Sequence, residues 1–348
     1  MTVRYPDSVD PVKTNGRDVD TAMASLDGEA AQQRAGRADH VVEWTWPEIG
    51  SAETTYYERP LLKRSVWSVD IPLYYFLGGT AGAALTLGAA VQWVSPRGRH
   101  PLRRLSTVCH WTGIVGSTAG AAFLIHDLGR PARFLMMMRV FRPTSPMNMG
   151  VWILGGAAPA AIATGLLIDR KDWLGRVGEA TGYVSGVFGA ALAGYTGVLV
   201  ANSAVPVWQA ARRWMAPLFM ASSAASAASA VEVWAQEPMA QRVALVFGTA
   251  ARVAELAAAQ MVERAAGEIP KVAEPLRQGP TGRLWKAASA LTLASLGLGL
   301  AAGRNRKARV AAGVLGMAGS LCLRFAVHYA TNASAEDPRA SFRMQRAE

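Results

Sequence analysis

Cysteine is almost absent from this sequence: Cys109 and Cys322 are the two among 348 residues. Two thiols in separate apolar blocks build neither a disulfide framework nor a cysteine-ligated cluster, so any iron–sulfur centre serving this protein belongs to a partner. Charge is scarce as well, at 18% of residues against 51% hydrophobic ones. The first 40 residues lack the apolar core of a secretion signal and have no twin-arginine start. There are five histidines. His110 and His126 fall on one expected helix, roughly 24 Å apart at 1.5 Å per residue, and cannot share a haem iron. His328, at the far end of the last span, leaves a bis-histidine haem as the minor alternative. The net charge of +11 comes with no recognised nucleic-acid motif, so neither nucleic acid nor a metal site is expected.

What is present is apolar sequence in long blocks. A helix needs about 20 apolar residues to cross a bilayer. Eight such blocks stand out, at 72–94, 105–126, 149–169, 182–201, 214–234, 241–263, 284–302 and 308–328. Lys and Arg gather in the loops between them, as at Arg97, Arg99, Arg103 and Arg104, which is how membrane proteins place positive charge. The expected fold is all-α, a polytopic bundle of about eight transmembrane helices in the lipid bilayer with a polar N-terminal tail. Residues 1–65 read as that tail, 66–330 as the membrane domain and 331–348 as a polar C-terminal tail. The first 40 residues have a disordered composition, whereas Trp44, Trp46, Tyr56 and Tyr57 suit a partner-docking arm.

Eight spans put both termini on one side, here called side A. The side A connections, about 128–148, 202–213 and 264–283, are the long ones, and a partner subunit would dock there. Ser145 before Pro146 reads as a helix cap, and Gly129 before Pro131 as a stop. The block 214–234 is rich in Ala and Ser, the small residues that let membrane helices pack closely.

Three motifs lie at the side A ends. Trp67 to Phe76 reads Trp-Ser-Val-Asp-Ile-Pro-Leu-Tyr-Tyr-Phe and is followed by Gly78, Gly79 and Gly82. His126-Asp127-Leu128-Gly129-Arg130-Pro131 closes the second span, and Arg142-Pro143-Thr144-Ser145-Pro146-Met147 opens the third. Over most of residues 56–215 these motifs make the chain resemble the NrfD family, which includes the membrane subunit of polysulfide reductase. The last four spans resemble that family in little beyond hydropathy. The resemblance implies a haem-free subunit that binds a quinone near the membrane surface, menaquinone or another, and exchanges electrons with a four-cluster (4Fe-4S) iron–sulfur subunit. That subunit in turn serves a molybdopterin catalytic subunit. The chain itself then has no catalytic residue of its own and acts as a quinone-reactive anchor in a prokaryotic cell membrane.

The residues are consistent with this. Alternating topology brings Asp70, Tyr74, His126, Asp127, Arg130, Tyr195 and Asn202 to one membrane face. A quinone needs hydrogen-bond donors for its carbonyls and a proton acceptor when its hydroxyls are oxidised, which His126, Tyr195 and the carboxylates supply. The three glycines would leave room for the isoprenoid tail. Each residue also has a plainer reading: Asp70 as a helix cap, Tyr74 and Tyr75 as members of an aromatic belt, Arg130, Arg133, Arg139 and Arg142 as snorkelling side chains or partner contacts. Deeper in the membrane lie Glu232, Arg252 and Glu255. Arg252 and Glu255, three apart, are expected to pair, either within a proton route from side B or as a structural ion pair. Two rival readings stay open. A proton-coupled transporter would have broken helices, and a purely structural anchor would not bind quinone.

Overall fold

The structure, a computed structural model, describes residues 18–20, 25–27, 60–95, 102–235 and 237–347. The expected docking arm with Trp44, Trp46, Tyr56 and Tyr57 lies outside the described residues, as do Arg97 and Arg99. The chain divides into two units, Met1–Thr55 and Tyr56–Glu348. The described residues of the first form a short antiparallel pair, β1 Asp18–Asp20 with β2 Ser25–Asp27. Those of the second contain helices and no strand.

Eight long helices make up the second unit: α1 Asp70–Val94, α2 Arg103–Asp127, α4 Pro146–Leu167, α5 Trp173–Ala201, α7 Arg212–Trp234, α8 Pro238–Gly267, α10 Gly279–Ala301 and α11 Arg306–Ala335. Short helices lie between or after them: α3 Pro131–Met137, α6 Pro206–Ala210, α9 Glu274–Arg277 and α12 Pro338–Ala347. The shortest long helix, α4, has 22 residues and is thus about 33 Å in length, enough for the hydrocarbon core. The protein is a multi-pass membrane protein.

Seven of these helices are apolar enough to cross a membrane, one fewer than expected. The exception is α7, which is long enough but carries Ser222, Ser223, Ser226 and Ser229 together with Glu232, all buried. Its serine face meets neighbouring helices, while Met220 and Trp234 on the same helix are exposed. Ser223 Oγ donates to Ala193 O on α5 (3.0 Å), Ser226 Oγ pairs with Thr80 Oγ1 on α1 (2.7 Å), and Ser222 Oγ donates to Ser320 Oγ on α11 (3.1 Å). Further exposed apolar side chains lie on the other helices, as at Leu166, Val187, Val246 and Leu300.

Two helices extend beyond their apolar blocks. Helix α5 starts at Trp173, nine residues before the expected 182, because the Asp172 carboxylate accepts the Leu174 N–H (3.2 Å) and caps it there. Helix α11 continues past His328 to Ala335, its last turns packed under α6, where Trp208 Nε1–H donates to Thr331 Oγ1 (2.9 Å).

Sequential helices pack as antiparallel pairs, α1 with α2, α4 with α5, α7 with α8 and α10 with α11, while α1, α5, α7 and α11 join the pairs at the centre. The glycines of α1 serve this joint. A Cβ on Gly82 would stand 2.5 Å from Gly189 O and 2.7 Å from Ala193 N on α5. The gap expected there for an isoprenoid tail is filled by the α5 backbone. Gly79 likewise faces Ser223 Oγ and Arg324 Nη2.

Candidate functional site

The side A end of the bundle is tied together by the segment entering α1. Ser65 N–H donates to Asn332 Oδ1 on α11 (3.0 Å), and Ser68 N–H to Asp127 Oδ1 at the end of α2 (3.1 Å). The Ser68 hydroxyl lies 2.6 Å from the same Asp127 oxygen and 2.8 Å from Asp70 Oδ2. His126 Nδ1 reaches Asp70 Oδ2 at 2.7 Å. Asp70 is therefore not the expected cap: Val69 occupies the N-cap position without a side-chain bond, and the Asp70 carboxylate points sideways to α2.

One turn further into α1 stand two tyrosines, Tyr74 and Tyr75, each 1% exposed. That burial removes them from any aromatic belt. Tyr74 OH is hydrogen-bonded to Tyr195 OH on α5. Tyr75 packs edge-on between Trp67 (centroids 6.4 Å apart) and Phe219 (6.0 Å). Its hydroxyl is buried and has no hydrogen-bond partner among the described residues, a state that native structures rarely leave unexplained.

These tyrosines, Asp127, Trp67, Met137 and Met147 line a cavity of about 40 Å³. A water needs roughly 10–15 Å³ of such space, so the cavity has room for a few waters and is smaller than a quinone ring. Its outer wall is the loop after α2. Gly129 turns the chain at φ 74°, a conformation that suits glycine, and Pro131 starts α3. The loop returns to α4 through Asn148, whose Nδ2 donates to Met137 O (2.7 Å) and Val140 O (2.8 Å) while its Oδ1 accepts Arg142 N–H (2.8 Å). Ser145 caps α4, accepting the Asn148 N–H as expected. Gly150 makes room for the Tyr195 ring: a Cβ there would lie 2.5 Å from its Cζ and 2.7 Å from its hydroxyl oxygen.

Of the residues singled out in the sequence, Tyr74, Asp127 and Tyr195 meet at the cavity. Asp70 and His126 line an open groove on the surface next to it, between α1 and α2. Arg130 is exposed at the start of α3, and Asn202 is exposed at the end of α5, where its Nδ2 donates to Val198 O (2.8 Å). Neither lines the cavity. Ser68, Asn148 and Gly150 are additions from the structure, and Tyr75 moves from the belt into the site. Ser68, inside the first motif, and Asn148, directly after the third, had a signal that sequence reasoning might have used.

The deep polar residues form a different arrangement from the one expected. Arg252 pairs with Glu232 on α7, not with Glu255 on its own helix: Nη1 donates to Oε1 (2.9 Å), Nη2 to Oε2 (2.6 Å), and Nη2 also reaches Ser229 Oγ (3.0 Å). Glu255 is buried and has one carboxylate oxygen without a hydrogen-bond partner among the described residues. Arg324 on α11, 1% exposed, is a buried cation that the sequence reading passed over. Its Nη2 donates to Phe219 O (3.1 Å) and Ser223 Oγ (3.1 Å), and its guanidinium stacks 3.9 Å above the Phe219 ring that also touches Tyr75. Each of the eight long helices runs unbroken, with Pro159 and Pro217 accommodated inside α4 and α7. The broken helices of the transporter reading are not found among the described residues.

A scan of protein families matches residues 60–266 to polysulphide reductase, NrfD. The chain belongs to the NrfD family. The match takes in both helices of the Arg252–Glu232 pair and extends well past residue 215, where the motif resemblance ends. No curated protein matches the chain. As an NrfD protein it is a membrane subunit of the kind that anchors reductase complexes, and its tyrosine-lined cavity lies among the residues the family match covers.

Proposed function

We propose that this protein is the quinone-binding subunit of a respiratory oxidoreductase in a prokaryotic cell membrane, passing electrons between menaquinone, or another quinone, and an iron–sulfur partner that serves a molybdopterin subunit. The observation that carries the reading is the Tyr75 hydroxyl, buried and unpartnered in a cavity that it shares with the bonded pair Tyr74 and Tyr195 and with Asp127. A quinone carbonyl would satisfy that hydroxyl, and the tyrosine pair offers a second donor. Asp127 supplies the carboxylate that accepts a proton when a quinol hydroxyl is oxidised. The chemistry fits a quinone head group, whereas the volume does so only after Met137 and Met147 swing aside, and methionine is the side chain best suited to such repacking. The quinone supplies the redox change; the chain binds the ring, orients it and handles its protons. Glu232, Arg252 and Glu255, with Arg324, remain candidates for proton movement from side B.

Purification of the tagged full chain from native membranes, followed by titration with menadione while tryptophan fluorescence is recorded, tests this. Saturable quenching, with iron–sulfur and molybdopterin proteins co-purifying, is expected. Absence of both would overturn the proposal and leave a structural anchor.

A further inference from the structure

We infer that Ser68 is the switching hydroxyl of a proton relay running from the tyrosine-lined cavity to the side A surface. The inference rests on the quinone reading above. Four groups stand in series. Asp127 lines the cavity; Ser68 Oγ is 2.6 Å from Asp127 Oδ1 and 2.8 Å from Asp70 Oδ2; Asp70 Oδ2 is 2.7 Å from His126 Nδ1. The His126 side chain is 73% exposed. Every separation is within the range for direct proton transfer.

The middle link has a constraint that ordinary surface hydrogen bonds lack. A serine hydroxyl owns one proton, and an ionised carboxylate owns none. Ser68 therefore donates to one aspartate at a time, and the other contact is a full hydrogen bond only when that carboxyl is protonated and donates back. The backbone holds the hydroxyl between its two partners: Ser68 N–H is anchored on Asp127 (3.1 Å), and Asp70 N–H donates to Ser68 Oγ (3.3 Å). A hydroxyl fixed this way, with a carboxylate on each side, passes a proton by rotating.

Oxidation of one quinol releases two electrons and two protons. The electrons leave to the iron–sulfur acceptor, and each proton breaks its bond to a quinol oxygen and forms one to Asp127. Asp127 then gives a proton to Ser68 Oγ while Ser68 gives its own to Asp70. Asp70 passes the proton through His126 to water, and rotation of the Ser68 hydroxyl resets the wire for the second proton. Quinone reduction runs the same steps in reverse. The other titratable groups near this wire are Tyr74, Tyr75 and Tyr195 across the cavity and His328 on α11, which lies within electrostatic reach of Asp127. The pair Glu232–Arg252 lies away from it, on α7 and α8.

The test uses the complex purified from native membranes with Ser68→Ala and Ser68→Thr. Menadione affinity, menadiol oxidation in H₂O and D₂O, and the infrared difference spectrum on menadione binding are recorded for each. Ser68→Ala should bind menadione like the wild type, oxidise menadiol about a hundredfold more slowly, at the lower edge of acid–base contributions, show a larger solvent isotope effect and lose or shift a protonated-carboxyl band. Ser68→Thr should restore all of these. Wild-type turnover, isotope effect and infrared band in Ser68→Ala would overturn the relay, as would a Ser68→Thr that behaves like alanine. Failure of the wild-type complex to bind menadione would instead overturn the quinone reading itself.

Discussion

Tyr74 on α1 and Tyr195 on α5, 121 residues apart in the chain, are joined hydroxyl to hydroxyl at the inner wall of the cavity. Of two hydroxyls bonded to each other, one is the donor, and the second keeps its proton available for a guest. Tyr195→Phe leaves the helices packed and removes one of the pair. Menadione affinity should fall about tenfold, the effect of losing roughly one hydrogen bond at about 1.4 kcal/mol, with little change in thermal stability. Fluorescence titration beside a melting curve in detergent separates the two.

Gly150 is the space into which the Tyr195 ring fits. Gly150→Ala should displace that ring and destabilise the protein by about 1–3 kcal/mol through overpacking, with menadione binding lost before the fold is. A variant that binds as well as the wild type would show that the ring position is immaterial to the site.

The Arg252–Glu232 pair is buried on both sides. Removing one partner strands a charge, and in proteins this destabilises by about 3–5 kcal/mol, whereas replacing both with apolar residues is often tolerated. Glu232→Ala and Arg252→Ala should each melt well below the wild type, and the double variant Glu232→Leu with Arg252→Met should recover most of the loss. If the pair also carries protons, the double variant will be stable yet fail to build a proton gradient in reconstituted vesicles.

Asn148 holds the outer wall of the cavity with two donated bonds and one accepted. Asn148→Ala should loosen the segment from Met137 to Arg142, seen as faster cleavage there by added protease, and Asn148→Asp, which cannot donate, should behave similarly. Protection equal to the wild type in both would show that the helix ends alone position the loop.

The number of long helices was legible in the sequence because apolar block length is a local property, and the sides on which they end follow from simple alternation. The side A cluster was legible in outline for the same reason. What eluded sequence reading depends on contacts between helices. Tyr74 and Tyr75 point about 100° apart on a helix, so both are buried only because α1 is surrounded; that is a property of its neighbours. Arg252 had an acidic residue three positions away and another on the facing helix, and spacing alone favours the wrong one. Ser68 looks like any residue ahead of a helix until two aspartates, one from α2, close around its hydroxyl. The glycines of α1 announce close approach without saying whether lipid, ligand or backbone approaches, and here it is the α5 backbone.

The serine-rich make-up of α7 bears on how the protein is made. A segment with four buried serines and a glutamate gains less from lipid than an all-apolar one, since each polar group at mid-membrane opposes insertion. Helix α8, the next in the chain, brings Arg252 to Glu232, so a chain truncated after α7 should insert less completely than one truncated after α8, as glycosylation mapping in membranes would read.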